Sequence, residues 1–139
     1  MNIEKSCGAV VFTKVDGQLR YLLVRNMEGI YGFPKGHTEG DETEKETALR
    51  EVKEETGVDV VLMPDFRTED SHPIPGKADT LKYIVYFLGS YENQTPVFQR
   101  DELTGADLYS YDEAMRLFQY ESSKRILSEA DAFLKELAL

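Results

Sequence analysis

Apolar positions gather first in "CGAVVFTKVDGQLRYLLVR" (7–25), as two runs on either side of Val15-Asp16-Gly17. Such runs flanking an Asp-Gly turn predict two strands joined as a hairpin. "NMEGIYGFPKGHTEGDE" (26–42) has no apolar period and is rich in Gly and Pro, which predicts a loop. "TEKETALREVKEET" (43–56) switches to a helical period. Thr43 stands at its N-cap with Glu46 three residues on, the spacing of a capping box, and Gly57 is the stop. "VDVVLMPDFRTE" (58–69) reads as a strand, "DSHPIPGKAD" (70–79) as a turn-rich loop and "TLKYIVYFLGSYE" (80–92) as a long apolar strand. A loop over 93–106 leads to a short strand in "ADLYSY" (106–111). Ser110 predicts the cap of a helix over 111–119. A last helix over 121–138 puts Ile126, Leu127, Ala130, Phe133, Leu134 and Leu137 on one face. Strands interspersed with helices predict an α/β fold, one sheet between helical layers.

Composition bounds this picture without changing it. The 139 residues suit one domain spanning 1–139, and 41% hydrophobic residues supply a core. The formal net charge of −10 disfavours nucleic acid and anionic membrane as partners. It admits a phosphorylated small molecule if cations stand between the two. Cys7 is the one cysteine, so no internal disulfide can form, and its apolar surroundings read as an inert buried thiol. No apolar run approaches the length of a membrane span. A soluble cytoplasmic protein is expected.

The helix over 43–56 carries a local contradiction. Glu51, Glu54 and Glu55 crowd its last turns, although a helix C-terminus carries partial negative charge and like charges at i,i+4 repel. At a helical period these carboxylates form a stripe beside the apolar face of Ala48, Leu49 and Val52, and Glu44 and Thr47 extend it one turn back. Two readings are open. The stripe is a solvated face, with Arg50 pairing with Glu46 and Glu54, or it is a set of hard oxygen ligands for Mg²⁺ or Mn²⁺, whose charge would cancel the repulsion.

The surroundings decide between them. Gly36 is followed after five residues by Glu42, after seven more by Arg50-Glu51-Val52, then by Glu54-Glu55 and Gly57-Val58. The span "GHTEGDETEKETALREVKEETGV" (36–58) resembles the Nudix box at each defining position. What that resemblance implies is a Nudix hydrolase: a mixed sheet sandwiched between helices, and metal-dependent cleavage of a phosphoanhydride in a nucleoside diphosphate linked to another group. Carried over, Glu51, Glu54 and Glu55 are metal ligands. Arg50 orients carboxylates, Glu42 supports the cluster, and Gly36 and Gly57 permit the turns flanking the helix.

"CGAVVF", "GFPKGHTE", "KYIVYFL" and "RDEL" resemble more narrowly the asymmetrical diadenosine tetraphosphate hydrolases. That likeness implies release of AMP and ATP, and a loop glutamate, here Glu102, as a further ligand or as the general base. It implies phosphate contacts for Lys35 and Lys82, with His37 as a phosphate donor or a local loop contact and Lys77 as a weaker candidate. The subgroup's tyrosine before the long strand is replaced here by His72. Tyr86 and Phe87 are adjacent on one strand, so at most one of them faces the cleft. Tyr120 is a second candidate wall for the base, or a core residue. Two alternatives remain: hydrolysis of a nucleoside triphosphate (oxidised ones included) or of an RNA 5′ end, and a sensing module that binds without cutting. The last is disfavoured, because such modules usually lose box glutamates that this sequence retains.

Overall fold

A computed structural model describes residues 1–138. Its centre is two long strands, β1 (Asn2–Val15) and β7 (Thr80–Ser90), paired in parallel from Asn2–Thr80 to Phe12–Ser90. Both are buried on two faces, so they read as continuous apolar runs. β2 (Gln18–Asn26) folds back on β1 through a turn in which Asp16 and Gly17 both take positive φ, as the hairpin signal requires. β3 (Tyr31–Gly32) turns back to pair with β2. β4 (Lys35–His37) pairs with β1, β5 (Val61–Leu62) and β6 (Thr68–Pro73) pair with β7, and β8 (Leu103–Tyr109) pairs with β2. Every pairing apart from β1–β7 is antiparallel.

Alternation along β1 sends side chains to two cores. Val10 and Phe12 pack with Tyr21, Leu23, Tyr86 and Leu88 against α2 (Tyr111–Leu117) and α3 (Glu121–Glu136). Ala9 and Val11 look the other way. There, with Leu22, Val58 and the neighbouring cluster of Cys7, Val85 and Phe87, they meet Ala48 and Val52 of α1 (Glu44–Thr56). The expected layers, helix–sheet–helix, are therefore present. Cys7 is buried, as expected. No helix among the described residues is long and apolar enough to cross a membrane.

α1 is closed at both ends by the predicted devices. Thr43 Oγ1 accepts from the Glu46 amide at 3.1 Å, and the Thr43 amide donates to Glu46 Oε1 at 2.8 Å. Gly57 sits at φ 74°, and its amide donates to the Lys53 carbonyl at 2.8 Å. α2 begins with a second capping box, Ser110 with Glu113. α3 is fixed to the sheet by the Tyr21 hydroxyl, which donates to the buried Asp131 carboxylate at 2.5 Å.

Several boundaries differ from the sequence reading. The loop over 26–42 contains β3 and β4. The strand expected over 58–69 is broken into β5 and the first two residues of β6, because Pro64-Asp65 turns the chain, with Asp65 at φ 66°. β6 then runs on to Pro73, where a loop was expected. Its sequence, Thr-Glu-Asp-Ser-His-Pro, lacks apolar alternation, and it is extended because it completes the ladder of β7. β8 starts at Leu103, three residues before the expected start. On α3, Ile126, Leu127, Ala130 and Leu134 are buried as expected, while Leu137 lies past the helix and is exposed. Leu49 of α1 is also exposed.

Candidate active site

β4 and α1 set the first half of the site. Pairing with β1 lays Gly36 opposite Cys7, directly against the helix. A Cβ at Gly36 would meet the Glu51 carboxyl carbon at 2.1 Å, so any side chain there would displace the Glu51 carboxylate from its present position. Arg50 organises the carboxylates around it. Its guanidinium grips Glu42 with two bonds, at 2.6 and 2.9 Å, and reaches Glu51 at 2.9 Å, Glu54 at 3.2 Å and the His37 carbonyl at 2.9 Å. This fork–fork pairing holds the Glu42 carboxyl down to about 2, with the Glu39 amide assisting. The expected Arg50–Glu54 pair is thus present. Arg50 takes Glu42 and Glu51 in place of Glu46, whose carboxylate is committed to the helix cap.

Glu55 sits deepest, 8% exposed, and accepts from the Lys35 amide at 3.3 Å. Burial pushes its carboxyl up to about 7, and the charges of Glu51 and Glu102 push the same way. Glu51 is raised too, first by burial and then by Glu54 and Glu102, against the pull of Arg50. Glu102 arrives from the far side. The Val97 amide donates to the Thr56 carbonyl at 2.9 Å and the Gln99 amide to the Glu55 carbonyl at 3.0 Å. Those bonds satisfy carbonyls that the end of α1 leaves open, and they carry the chain back over the helix to Glu102.

Glu51, Glu54, Glu55 and Glu102 border one cavity of about 380 Å³, together with Lys35, His37 and Lys82. Among the described residues no three acidic or histidine side chains close to ligand distance, and Arg50 holds Glu51 and Glu54 at the cavity edge. The donor set is nonetheless hard oxygen throughout, and the neighbouring carboxylates push Glu51 and Glu55 upward. Both properties fit a divalent cation of the Mg²⁺ type, whose charge would relieve the repulsion.

Lys35 and Lys82 border this cavity and also a larger cleft of about 850 Å³. Burial, then the adjacent Lys82 ammonium, lowers the Lys35 pKa. One cleft wall is β6 with Asp70, His72 and Pro73. The opposite wall is the turn from Asn26 to Phe33 with Tyr120–Ser123 at the start of α3. Ile84 and Tyr86 form part of the floor. Of the adjacent aromatic pair, Tyr86 faces the cleft side and Phe87 packs under α1. Tyr86 is a floor residue and not a stacking wall: it is 5% exposed, edge-on to Phe33 with centroids 5.4 Å apart. Its hydroxyl pKa is raised by burial, then by Asp70 and Glu55. Tyr120, by contrast, is 57% exposed on the cleft, so core packing does not claim it. His72 lies on β6 itself, exposed on the same cleft. His37 borders only the carboxylate cavity, with its imidazole 3.9 Å from Glu4. Lys77 pairs with Glu4 at 2.7 Å, away from both cavities. Asp70, Phe33 and the 26–31 turn were not singled out from the sequence. Only the β6–β7 register shows that Asp70 and His72 share a face.

A sheet flanked by helices, with a loop–helix–loop directing a glutamate stripe at a lysine-lined cleft, defines a hydrolase of the Nudix class. The chain belongs to that family: the NUDIX domain matches residues 5–130. It is 31% identical over 141 residues to the asymmetrical bis(5′-nucleosyl)-tetraphosphatase of Rattus norvegicus, covering 94% of this chain and 95% of that one. The Sus scrofa protein of the same name is 30% identical, covering 96% and 97%. In fold it is similar to a C. elegans Ap4A hydrolase binary complex, with a TM-score of 0.87 and 24% identity over 96% of this chain and 98% of that one.

Proposed function

We propose that this protein is a metal-dependent pyrophosphohydrolase that cuts a dinucleoside tetraphosphate, such as diadenosine tetraphosphate, asymmetrically into a nucleoside monophosphate and a nucleoside triphosphate. The observation that carries this reading is the continuity of the two cavities through Lys35 and Lys82. A base and sugar fit the cleft, and the polyphosphate runs past the two ammonium groups toward the carboxylates. The names of the relatives, matched over nearly their whole length, support the substrate class.

Each residue then has a task. Tyr120 and His72 face the cleft from opposite walls and hold the base by stacking. Lys35 and Lys82 fix the phosphate chain. Mg²⁺ or Mn²⁺, held by Glu51, Glu54 and Glu55 with Glu102 opposite, would neutralise phosphate charge and acidify a water. Arg50 is a positioning residue that keeps Glu51 and Glu54 turned to the cavity. Glu102, free of the Arg50 network, takes the proton as the water oxygen bonds to phosphorus and the bridging oxygen leaves. His37, exposed at the cavity mouth, meets the departing phosphates. The reading extends to a cytoplasmic enzyme, whose single thiol is buried and reduced.

The test is hydrolysis of diadenosine tetraphosphate in ¹⁸O-water with Mg²⁺. AMP and ATP, with label in only one of them, are expected, because a base held at one end fixes which phosphorus lies over the carboxylates. Two ADP would refute asymmetrical cleavage. No cleavage, alongside rapid conversion of a nucleoside triphosphate to monophosphate and pyrophosphate, would refute the dinucleotide assignment.

A further inference from the structure

The name bis(5′-nucleosyl)-tetraphosphatase leaves the base open, and the cleft contains a group able to choose one. β6 and β7 pair so that Asp70 lies opposite Ile84 and His72 opposite Lys82. Residues two apart on a strand share a face, so Asp70 looks into the cleft beside His72, over the floor made by Ile84 and Tyr86. Glu69, on the other face, bonds Arg67 and Tyr83. Of the cations near β6, Arg67 is committed to Glu44 and Glu69, and Arg125 to Glu129 and the Glu69 carbonyl, while Lys82, in register with His72, forms no ion pair with Asp70 or any other carboxylate among the described residues. Among the described residues, Asp70 is thus a half-buried carboxylate in the nucleotide cleft with no cation paired to it.

A carboxylate there has two consequences. It repels phosphate, so the phosphate chain turns from Asp70 to the Lys82 and Lys35 ammonium groups, which also border the carboxylate cavity. A base stacked between Tyr120 and His72 therefore has its edge, and not its sugar-phosphate, available to Asp70. An unpaired, partly desolvated carboxylate gains most from a ligand that brings two N–H donors, one to each oxygen. The guanine edge supplies them side by side, from N1–H and the 2-amino group. Adenine brings a single amine next to an N1 lone pair, which the carboxylate repels.

Resting on the nucleotide reading above, we propose that Asp70 is a base-reading residue and that it makes the cleft prefer guanine to adenine. The first measurement is binding of GMP and of AMP to the whole chain by calorimetry, with EDTA present so that catalysis and metal play no part. GMP is expected to bind about 10-fold tighter or more, the worth of one added charged hydrogen bond. Asp70→Asn keeps the shape but offers adenine a matching acceptor and donor, so its preference should turn toward AMP. Equal affinities in the wild type, a preference for AMP, no binding of either, or the same ratio in Asp70→Asn would each overturn the proposal. The second measurement compares kcat/KM for diguanosine and diadenosine tetraphosphate with Mg²⁺. The guanosine compound should be favoured by a similar factor in the wild type and lose that advantage in Asp70→Asn. Cleavage of both at one rate removes the base reading and leaves the activity standing. Cleavage of neither, with GMP preference intact, removes the activity reading and leaves Asp70 as assigned.

Discussion

Glu55→Gln should make the metal-free protein more stable at pH 8 while removing its activity. In the fold the Glu55 carboxyl titrates at about 7, against an ordinary 4.5, chiefly because it is buried and then because Glu51 and Glu102 face it. The folded state therefore holds a proton that the unfolded chain releases near 4.5. Stability from this group is present below that value and is lost as pH rises through about 7. Each unit by which the folded pKa exceeds the unfolded one is worth about 1.4 kcal/mol, so about 3 kcal/mol is the ceiling. Gln is isosteric and neutral, and its carbonyl can still accept from the Lys35 amide. At pH 8 in EDTA it should raise Tm by up to about 6–12 °C for a chain of this size. At pH 4.5, where the wild-type group is protonated in the fold, the two proteins should melt together. Mg²⁺ should reverse the order at pH 8, stabilising the wild type and not the variant, because the ion needs the ionised carboxylate. Thermal melts at pH 4.5 and pH 8, with and without Mg²⁺, check all of this. A variant that melts lower than wild type at pH 8 in EDTA would refute the claim that burial and like charge strain this site. Full turnover in the variant would remove Glu55 from the metal set.

Glu102→Gln should lower kcat about 10²-fold or more with KM little changed, in steady-state kinetics on the dinucleotide, if Glu102 takes the proton. Gly36→Ala drives a methyl into the Glu51 carboxylate; Mg²⁺ affinity by calorimetry and kcat should both fall, while circular dichroism keeps the wild-type spectrum. Tyr21→Phe leaves the buried Asp131 carboxylate short of a donor and should cost about 1–3 kcal/mol in urea unfolding, with KM for the nucleotide unmoved.

How much of this was legible in the sequence depended on how local the signal was. α1 was readable to its caps because Thr43, Glu46 and Gly57 act within one turn of the helix ends. The β1–β2 hairpin was readable from Asp16-Gly17 for the same reason. β6 was not, since its extended shape is imposed by a partner in β7 and its own residues carry no alternation. His72 was therefore assigned to a loop, and Asp70 beside it went unremarked. The box glutamates announced themselves by breaking the rules for a helix C-terminus. The Arg50–Glu54 pair was legible from its i,i+4 spacing, but the reach of Arg50 back to Glu42 and the His37 carbonyl was not, because it depends on how the loop before α1 folds against the helix. Tyr120 was ambiguous for a similar reason: an aromatic just before an amphipathic helix suits either core or cleft, and the angle at which α3 meets the sheet decides.

The parallel ladder of β1 and β7 also governs how the molecule can come into being. Asn2 faces Thr80 and Phe12 faces Ser90, a constant separation of 78 residues. Closing so long a loop costs chain entropy before any ladder contact is gained. The box helix lies inside that loop, and the apolar side of Ala48 and Val52 rests on the very strands that close it. During synthesis, a nascent chain as far as Gly57 would hold every box glutamate yet have no β7 beside β1 to complete the surface beneath that helix. The carboxylates thus come to face Glu102 only after Ser90 has emerged and β1 has found its mate. Birth order in this chain puts the chemistry after the architecture.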